Sequence, residues 1–163
     1  MHQGEIKIFV MDVDGTLTDG KIYIGTKGES LKAFNVKDGF GIHNMLIPRG
    51  IVPIIITGRR SKIVVRRCHE LGIKEVHQGV HNKESKISEI SQRLNVPMSS
   101  IAFIGDDMND FDIMMKVKTG GGVVGCPIDA SKEIQSIANY VCEQKGGEGA
   151  VREFIGWLLF PKK

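Results

Sequence analysis

The sequence predicts an α/β protein: a Rossmann-like parallel sheet with helices on both faces and a β-hairpin inserted after the first strand. Three observations carry this. Short β-branched runs such as IVPIIIT alternate with longer amphipathic stretches, the pattern of successive βα units. The first apolar run, Ile6–Met11, ends abruptly in Asp12-Val13-Asp14-Gly15-Thr16. The segment Gly20–Phe34 then breaks the alternation with two short strands around a glycine-containing turn.

In chain order, the strand Ile6–Met11 is followed by the hairpin. A lone hairpin is only marginally stable in water, so something must cover it. It either folds back on its own sheet or meets another subunit, and the apolar surface of Ile22, Tyr23, Ile24, Leu31 and Phe34 favours the subunit. Further strands are expected at Ile51–Thr57, Glu75–His77, Ile101–Gly105, Gly121–Val124 and Tyr140–Cys142. Between and after them, amphipathic patterning predicts helices over Lys37–Pro48, Ser61–Leu71, Lys83–Leu94, Asn109–Lys116, Ala130–Ala138 and Glu148–Leu159.

The bulk properties bound the function. A chain of 163 residues, 41% hydrophobic and 25% charged, suits one domain spanning 1–163 with a substantial core and leaves little room for a second. The net charge of +3 comes from interspersed residues and not from a basic block, so nucleic acid is not the expected partner. Cys68, Cys126 and Cys142 are odd in number and far apart, which suggests neither disulfides nor zinc and fits a reducing cytoplasm. The N-terminal apolar run of about six residues is too short for a signal sequence or a membrane span, so no membrane partner is expected.

Chemistry concentrates at strand ends. Residues two apart on a strand point the same way, so Asp12 and Asp14 should share a direction, with Gly15 allowing a sharp turn. Carboxylates there lie where open α/β sheets bind ligands, can hold magnesium, and can attack phosphorus or move a proton. A plain acidic turn would look the same, since Asp-Gly is a common turn dipeptide. Gly105-Asp106-Asp107-Met108-Asn109-Asp110 repeats the theme after another apolar strand, with Asp106 and Asp110 one helical turn apart. Carboxylates so close repel unless a cation intervenes, although Asp107 or Asn109 also suits a helix cap. Thr57-Gly58-Arg59-Arg60 brings a hydroxyl and free backbone N–H groups to a helix start, as phosphate requires, yet Thr57 is as easily a cap. Lys83 offers a compact positive charge before a helix, where an isolated lysine is ordinarily a surface residue.

Taken in order, DVDGT, ITG, HNK and GDDMND resemble the four motifs of the haloacid dehalogenase-type phosphatases. The resemblance spans nearly the whole chain. It narrows through DGKIYIGTKGESLKAFNVKDGFGI and GGEGAVREF to the small capless subgroup. That subgroup includes phosphatases of 3-deoxy-manno-octulosonate 8-phosphate and 2-keto-3-deoxynononate 9-phosphate, and the C-terminal domain of some acylneuraminate cytidylyltransferases. The resemblance implies a fold without a cap domain and a magnesium-dependent phosphatase acting on a small sugar-acid phosphate. Asp12 would be the nucleophile and a metal ligand. Asp14 would be the general acid and base, binding metal through its carbonyl. Asp106 would be a further ligand, with Asp110 supporting the metal shell. Thr57, Gly58 and Asn109 would contact substrate, and Lys83 would neutralise the phosphoryl group. Arg59 stands where octulosonate-phosphate members tend to carry arginine, and it suits a sugar-acid carboxylate, as do Arg67 and Arg152. The subgroup forms homotetramers in which the hairpin packs between subunits and partly closes a neighbour's site. A non-catalytic tetramerisation domain is the alternative of another class, and the intact acidic motifs argue against it.

Other signals point elsewhere. Gly120–Gly125 satisfies G-x-G-x-x-G but overlaps a strand and is set aside as a dinucleotide site. His77 and His81 fit loop packing better than metal, and Met108, Met114 and Met115 read as core filling.

Overall fold

A computed structural model describes residues 5–160. The readings made for residues 1–4 and 161–163, at the ends of the expected domain, lie outside them. The chain runs β1 (Ile8–Met11), β2 (Tyr23–Gly25), β3 (Gly28–Leu31), α1 (Val36–Phe40), β4 (Val52–Thr57), α2 (Lys62–Leu71), β5 (Glu75–Gln78), α3 (Lys83–Leu94), β6 (Ile101–Ile104), α4 (Phe111–Thr119), β7 (Val123–Cys126), α5 (Lys132–Ile137), β8 (Tyr140–Val141) and α6 (Ala150–Leu159). Six strands form one parallel sheet in the order β5-β4-β1-β6-β7-β8.

β1 lies inside this sheet, with Met11 opposite Ile55 on one side and Ile104 on the other. Its alternation feeds two cores. Phe9 and Met11 pack with Ile42, Leu46, Cys68 and Phe154, whereas Ile8 and Val10 pack with Ile87, Ile90, Ile113 and Met114. Helices therefore cover both faces, and β1 has no polar residue because neither face meets water. Truncating fully buried Phe9 to alanine would cost about 3–5 kcal/mol.

Departures from the predicted elements have local causes. The helix expected over Lys37–Pro48 becomes α1, a π-helical turn (Gly41–Leu46) and a 3-10 turn (Ile47–Arg49). Gly39 and Gly41 are responsible, since glycine weakens an α-helix by about 1 kcal/mol each. Both are needed where they stand. A Cβ at Gly39 would lie 2.6 Å from Arg67 Nη2, and one at Gly41 would lie 3.0 Å from Ile155 Cδ1. The segment is thus pressed between α2 and α6. Asp38, 1% exposed, locks it there by accepting a 2.8 Å hydrogen bond from the Arg152 N–H at the start of α6. Its other oxygen, Oδ2, is buried without a hydrogen-bond partner.

The strand expected over Gly121–Val124 starts two residues later. Gly120 and Gly121 close α4 by donating to the Lys116 and Lys118 carbonyls, and Gly121 adopts φ +85°. Gly125 lies within β7 because a side chain there would strike the Phe154 ring at 2.7 Å. These glycines serve a helix end and close packing. The hairpin forms a two-stranded sheet of its own and does not extend the main one. It leaves Ile24 76% and Leu31 48% exposed.

Candidate active site

The acidic residues converge at the C-terminal ends of β1 and β6. Asp12 follows β1 directly, its N–H donating to the Ile104 carbonyl at 3.1 Å. Gly15, at φ +92°, turns the chain so tightly that a Cβ there would lie 2.0 Å from Asp106 Oδ2. Thr16 fixes that carboxylate from the same loop, its hydroxyl donating to Asp106 Oδ1 at 3.0 Å. After β6, Gly105 leaves room for Asp110, whose Oδ2 accepts from the Asp106 N–H at 3.1 Å. Asp12, Asp106 and Asp110 consequently present oxygens within 4.8 Å of one another.

Lys83 opens α3, which is capped by the Asn82 side chain. Its ammonium donates to Asp12 Oδ1 at 2.8 Å and to Asp110 Oδ1 at 2.6 Å. Burial alone would depress the lysine, but Asp12 and Asp110 outweigh it and hold its pKa above the usual value. The carboxylates are less well served. Burial, then repulsion from Asp12, pushes Asp106 up to about 8, and the same two causes push Asp110 up to about 7, with Lys83 opposing. Three carboxylates against one ammonium carry a formal charge of −2. A divalent cation with a preference for hard oxygen ligands fits both the donor set and the charge.

Asp14 stands apart from this cluster. Alternation ends with β1 at Met11, so the expectation that Asp12 and Asp14 point the same way does not extend past it. Asp14 Oδ1 pairs with Lys32 from just beyond β3, and Oδ2 lies 3.7 Å from Arg59 Nε.

Thr57 is buried at the end of β4, beside exposed Gly58. The cap of the following helix is Ser61 and not Thr57. Arg59 is half exposed, with Nη2 4.0 Å from Glu29 Oε1. Asn109 is exposed, and it is Asp107 that caps the turn, accepting from the Met108 N–H at 2.8 Å. Arg67 lies along α2 over the Phe34 ring, 3.3 Å from Glu70. Arg152 bonds Asp38 through its N–H. Among the described residues, neither arginine makes a hydrogen bond or ion pair with the acidic cluster. His77 pairs with Glu75 at 3.2 Å, and His81 is exposed.

Several contributors were not singled out as site residues in the sequence, although Gly146, Gly147 and Glu29 lie within the stretches that narrow the family resemblance. The loop before α6 packs on the Asp12–Thr18 turn: Gly147 N–H donates to the Thr16 carbonyl at 3.1 Å, and a Cβ at Gly146 would lie 1.9 Å from the Gly15 oxygen. Asp129 holds that loop by accepting from the Gly146 N–H at 3.0 Å. Glu29 accepts a hydrogen bond from the Ser61 hydroxyl and lies 3.0 Å from Lys32. Burial would raise its carboxyl, but those two contacts hold it below the usual range.

Comparison with known proteins bears on this geometry. The model of the haloacid dehalogenase-like hydrolases matches residues 69–155. The 3-deoxy-D-manno-octulosonate 8-phosphate phosphatase KdsC of Escherichia coli (strain K12) is 43% identical over 94% of this chain and 79% of its own. Its Yersinia pestis counterpart is 42% identical over 94% of this chain and 80% of its own. The crystal structure of the Moraxella catarrhalis 3-deoxy-D-manno-octulosonate 8-phosphate phosphatase, in complex with magnesium, phosphate and KDO, superposes with a TM-score of 0.88 at 37% identity, covering 94% of this chain and 86% of that one.

Proposed function

The chain belongs to the haloacid dehalogenase-like hydrolase family, and we propose that it removes phosphate from 3-deoxy-D-manno-octulosonate 8-phosphate, using magnesium and an aspartyl-phosphate on Asp12. The observation that carries the reaction class is the buried cluster of Asp12, Asp106 and Asp110 held by Lys83. The substrate rests on the 43% identity to the E. coli phosphatase over 94% of the chain.

Asp12 supplies the attacking oxygen. Its Oδ1 is held by Lys83, which leaves the second oxygen to approach phosphorus, while Thr57 and the Gly58 N–H contact the phosphoryl oxygens. Asp14 gives a proton to the ester oxygen as the P–O bond breaks, so the sugar acid departs as an alcohol. Asp14, now a carboxylate, takes a proton from the water that attacks the aspartyl-phosphate, which frees inorganic phosphate and restores Asp12. Asp12, Asp106, Asp110 and the Asp14 carbonyl would hold the magnesium ion, which when bound neutralises charge on the transferring group. Arg59, Arg67 and Arg152 serve the substrate carboxylate, with Asn109 at the rim. Among the described residues, Arg67 and Arg152 make no hydrogen bond or ion pair with the acidic cluster of their own chain, and a homotetramer would let a neighbour complete each site. No helix among the described residues is long and apolar enough to cross a membrane. We place the protein in the cytoplasm.

The test is phosphate release from a panel of sugar-acid phosphates with magnesium and with excess chelator. Turnover of the octulosonate ester ahead of the nononate ester, and only with magnesium, is expected. Undiminished turnover in chelator would overturn the metal's role, and preference for the nononate ester would overturn the substrate.

A further inference from the structure

The hairpin places two charged residues against its own chain's catalytic loop. Lys32, immediately after β3, has a side chain only 1% exposed. Its ammonium bonds Asp14 Oδ1 and lies 3.0 Å from Glu29 Oε1. Glu29 Oε2 accepts from the hydroxyl of Ser61, the residue that caps α2. The hairpin is therefore bracketed between the loop after β1 and the cap of α2, which follows the turn that carries Arg59.

A buried ammonium is costly unless paired, and a lysine needed only to solubilise a hairpin extends into water. Lys32 instead holds one oxygen of Asp14. Among the described residues, the ion-pair partner of the other oxygen is Arg59, which is 52% exposed and 3.7 Å away. The two grips differ in kind: the lysine is enclosed and close, the arginine open and loose.

We propose that Lys32 is a positioning residue for Asp14, fixing its carboxylate so that Oδ2 can exchange a proton with the ester oxygen once Arg59 turns to substrate. The hairpin is then part of the catalytic apparatus of its own chain, whatever else its apolar face contacts. The inference rests on the reading of Asp14 as general acid and base. In the step concerned the P–O bond breaks, the ester oxygen takes the electron pair, and the Asp14 proton moves to it.

The test separates leaving groups. A sugar alkoxide needs that proton, whereas 4-nitrophenolate leaves without one. Lys32→Met, Lys32→Arg and Glu29→Gln are compared with wild type for first-turnover release of the sugar acid and of 4-nitrophenolate. Lys32→Met should slow sugar release about 100-fold, within the usual range for general acid catalysis, and nitrophenolate release less than about fivefold. KM should change little, and Lys32→Arg should restore most of the loss. Glu29→Gln, which keeps the lysine, should show a smaller loss with the same bias and answers the question if Lys32→Met fails to fold. Equal losses on both esters, or none on either, would overturn the role of Lys32. Asp14→Asn serves as the control: without the same bias, the reading of Asp14 itself is wrong.

Discussion

Asp38 should make the protein less stable as pH rises through the weakly acidic range. Burial pushes its carboxyl from 3.8 up to about 6, against the opposing pull of the Arg152 and Gly149 N–H groups. Between those two values the folded chain keeps a proton that the unfolded chain has released, so stability falls with rising pH and the loss is complete above about pH 6. A shift of roughly two units corresponds to about 3 kcal/mol, of which about half falls between pH 5 and pH 8. Asp38→Asn keeps an oxygen for the Arg152 N–H but cannot ionise. Whatever its stability at acid pH, the variant should gain about 1–2 kcal/mol on wild type between pH 5 and pH 8. Urea unfolding followed by fluorescence of Trp157, the single tryptophan, reports directly on α6. A difference between variant and wild type that stays flat or shrinks over that range would refute the argument.

Four further outcomes follow from the site. Asp12→Asn should abolish phosphate release while leaving circular dichroism unchanged; retention of a substantial fraction of turnover would rule out covalent catalysis by Asp12. Gly146→Ala forces a methyl group to within 1.9 Å of the Gly15 oxygen, so kcat should fall by about tenfold or more, and a fully active variant would show that the two loops move independently. Arg59→Glu should harm the octulosonate ester far more than an aryl phosphate lacking a carboxylate, and equal losses would remove Arg59 from carboxylate recognition. Charged residues at Ile22 and Ile24 should give smaller species in light scattering and a higher KM for the sugar phosphate; a fully active monomer would show that one chain completes the pocket.

What the sequence reveals depends on how local the physics is. Parallel strands covered on both faces announce themselves as apolar runs, and α3, bounded by Asn82 and Asn95, matches its predicted limits of Lys83 and Leu94. Asp12, Asp106, Asp110 and Lys83 were legible because each sits at the end of such an element, within a few residues of a turn. The segment after Phe34 was not, since its π-helical path is imposed by α2 and α6 pressing on Gly39 and Gly41. Lys32 and Glu29 escaped for the same reason: the partners that give them meaning, Asp14 and Ser61, lie 18 and 32 positions away. Spacing within a short motif carries no trace of such pairings.

The place of β1 inside the sheet has a consequence for biosynthesis. This strand is made before the others of its sheet, yet its partner Ile104 follows Met11 by 93 positions. At about 5–20 residues per second, the two-sided apolar strand waits roughly 5–20 s for its second neighbour. During that interval one of its hydrogen-bonding edges is unpaired, and Ile113, Met114 and Phe154, which complete the packing on its two faces, have yet to be made. The strand that leads into Asp12 therefore keeps an open edge, a template for wrong pairing, through that part of synthesis.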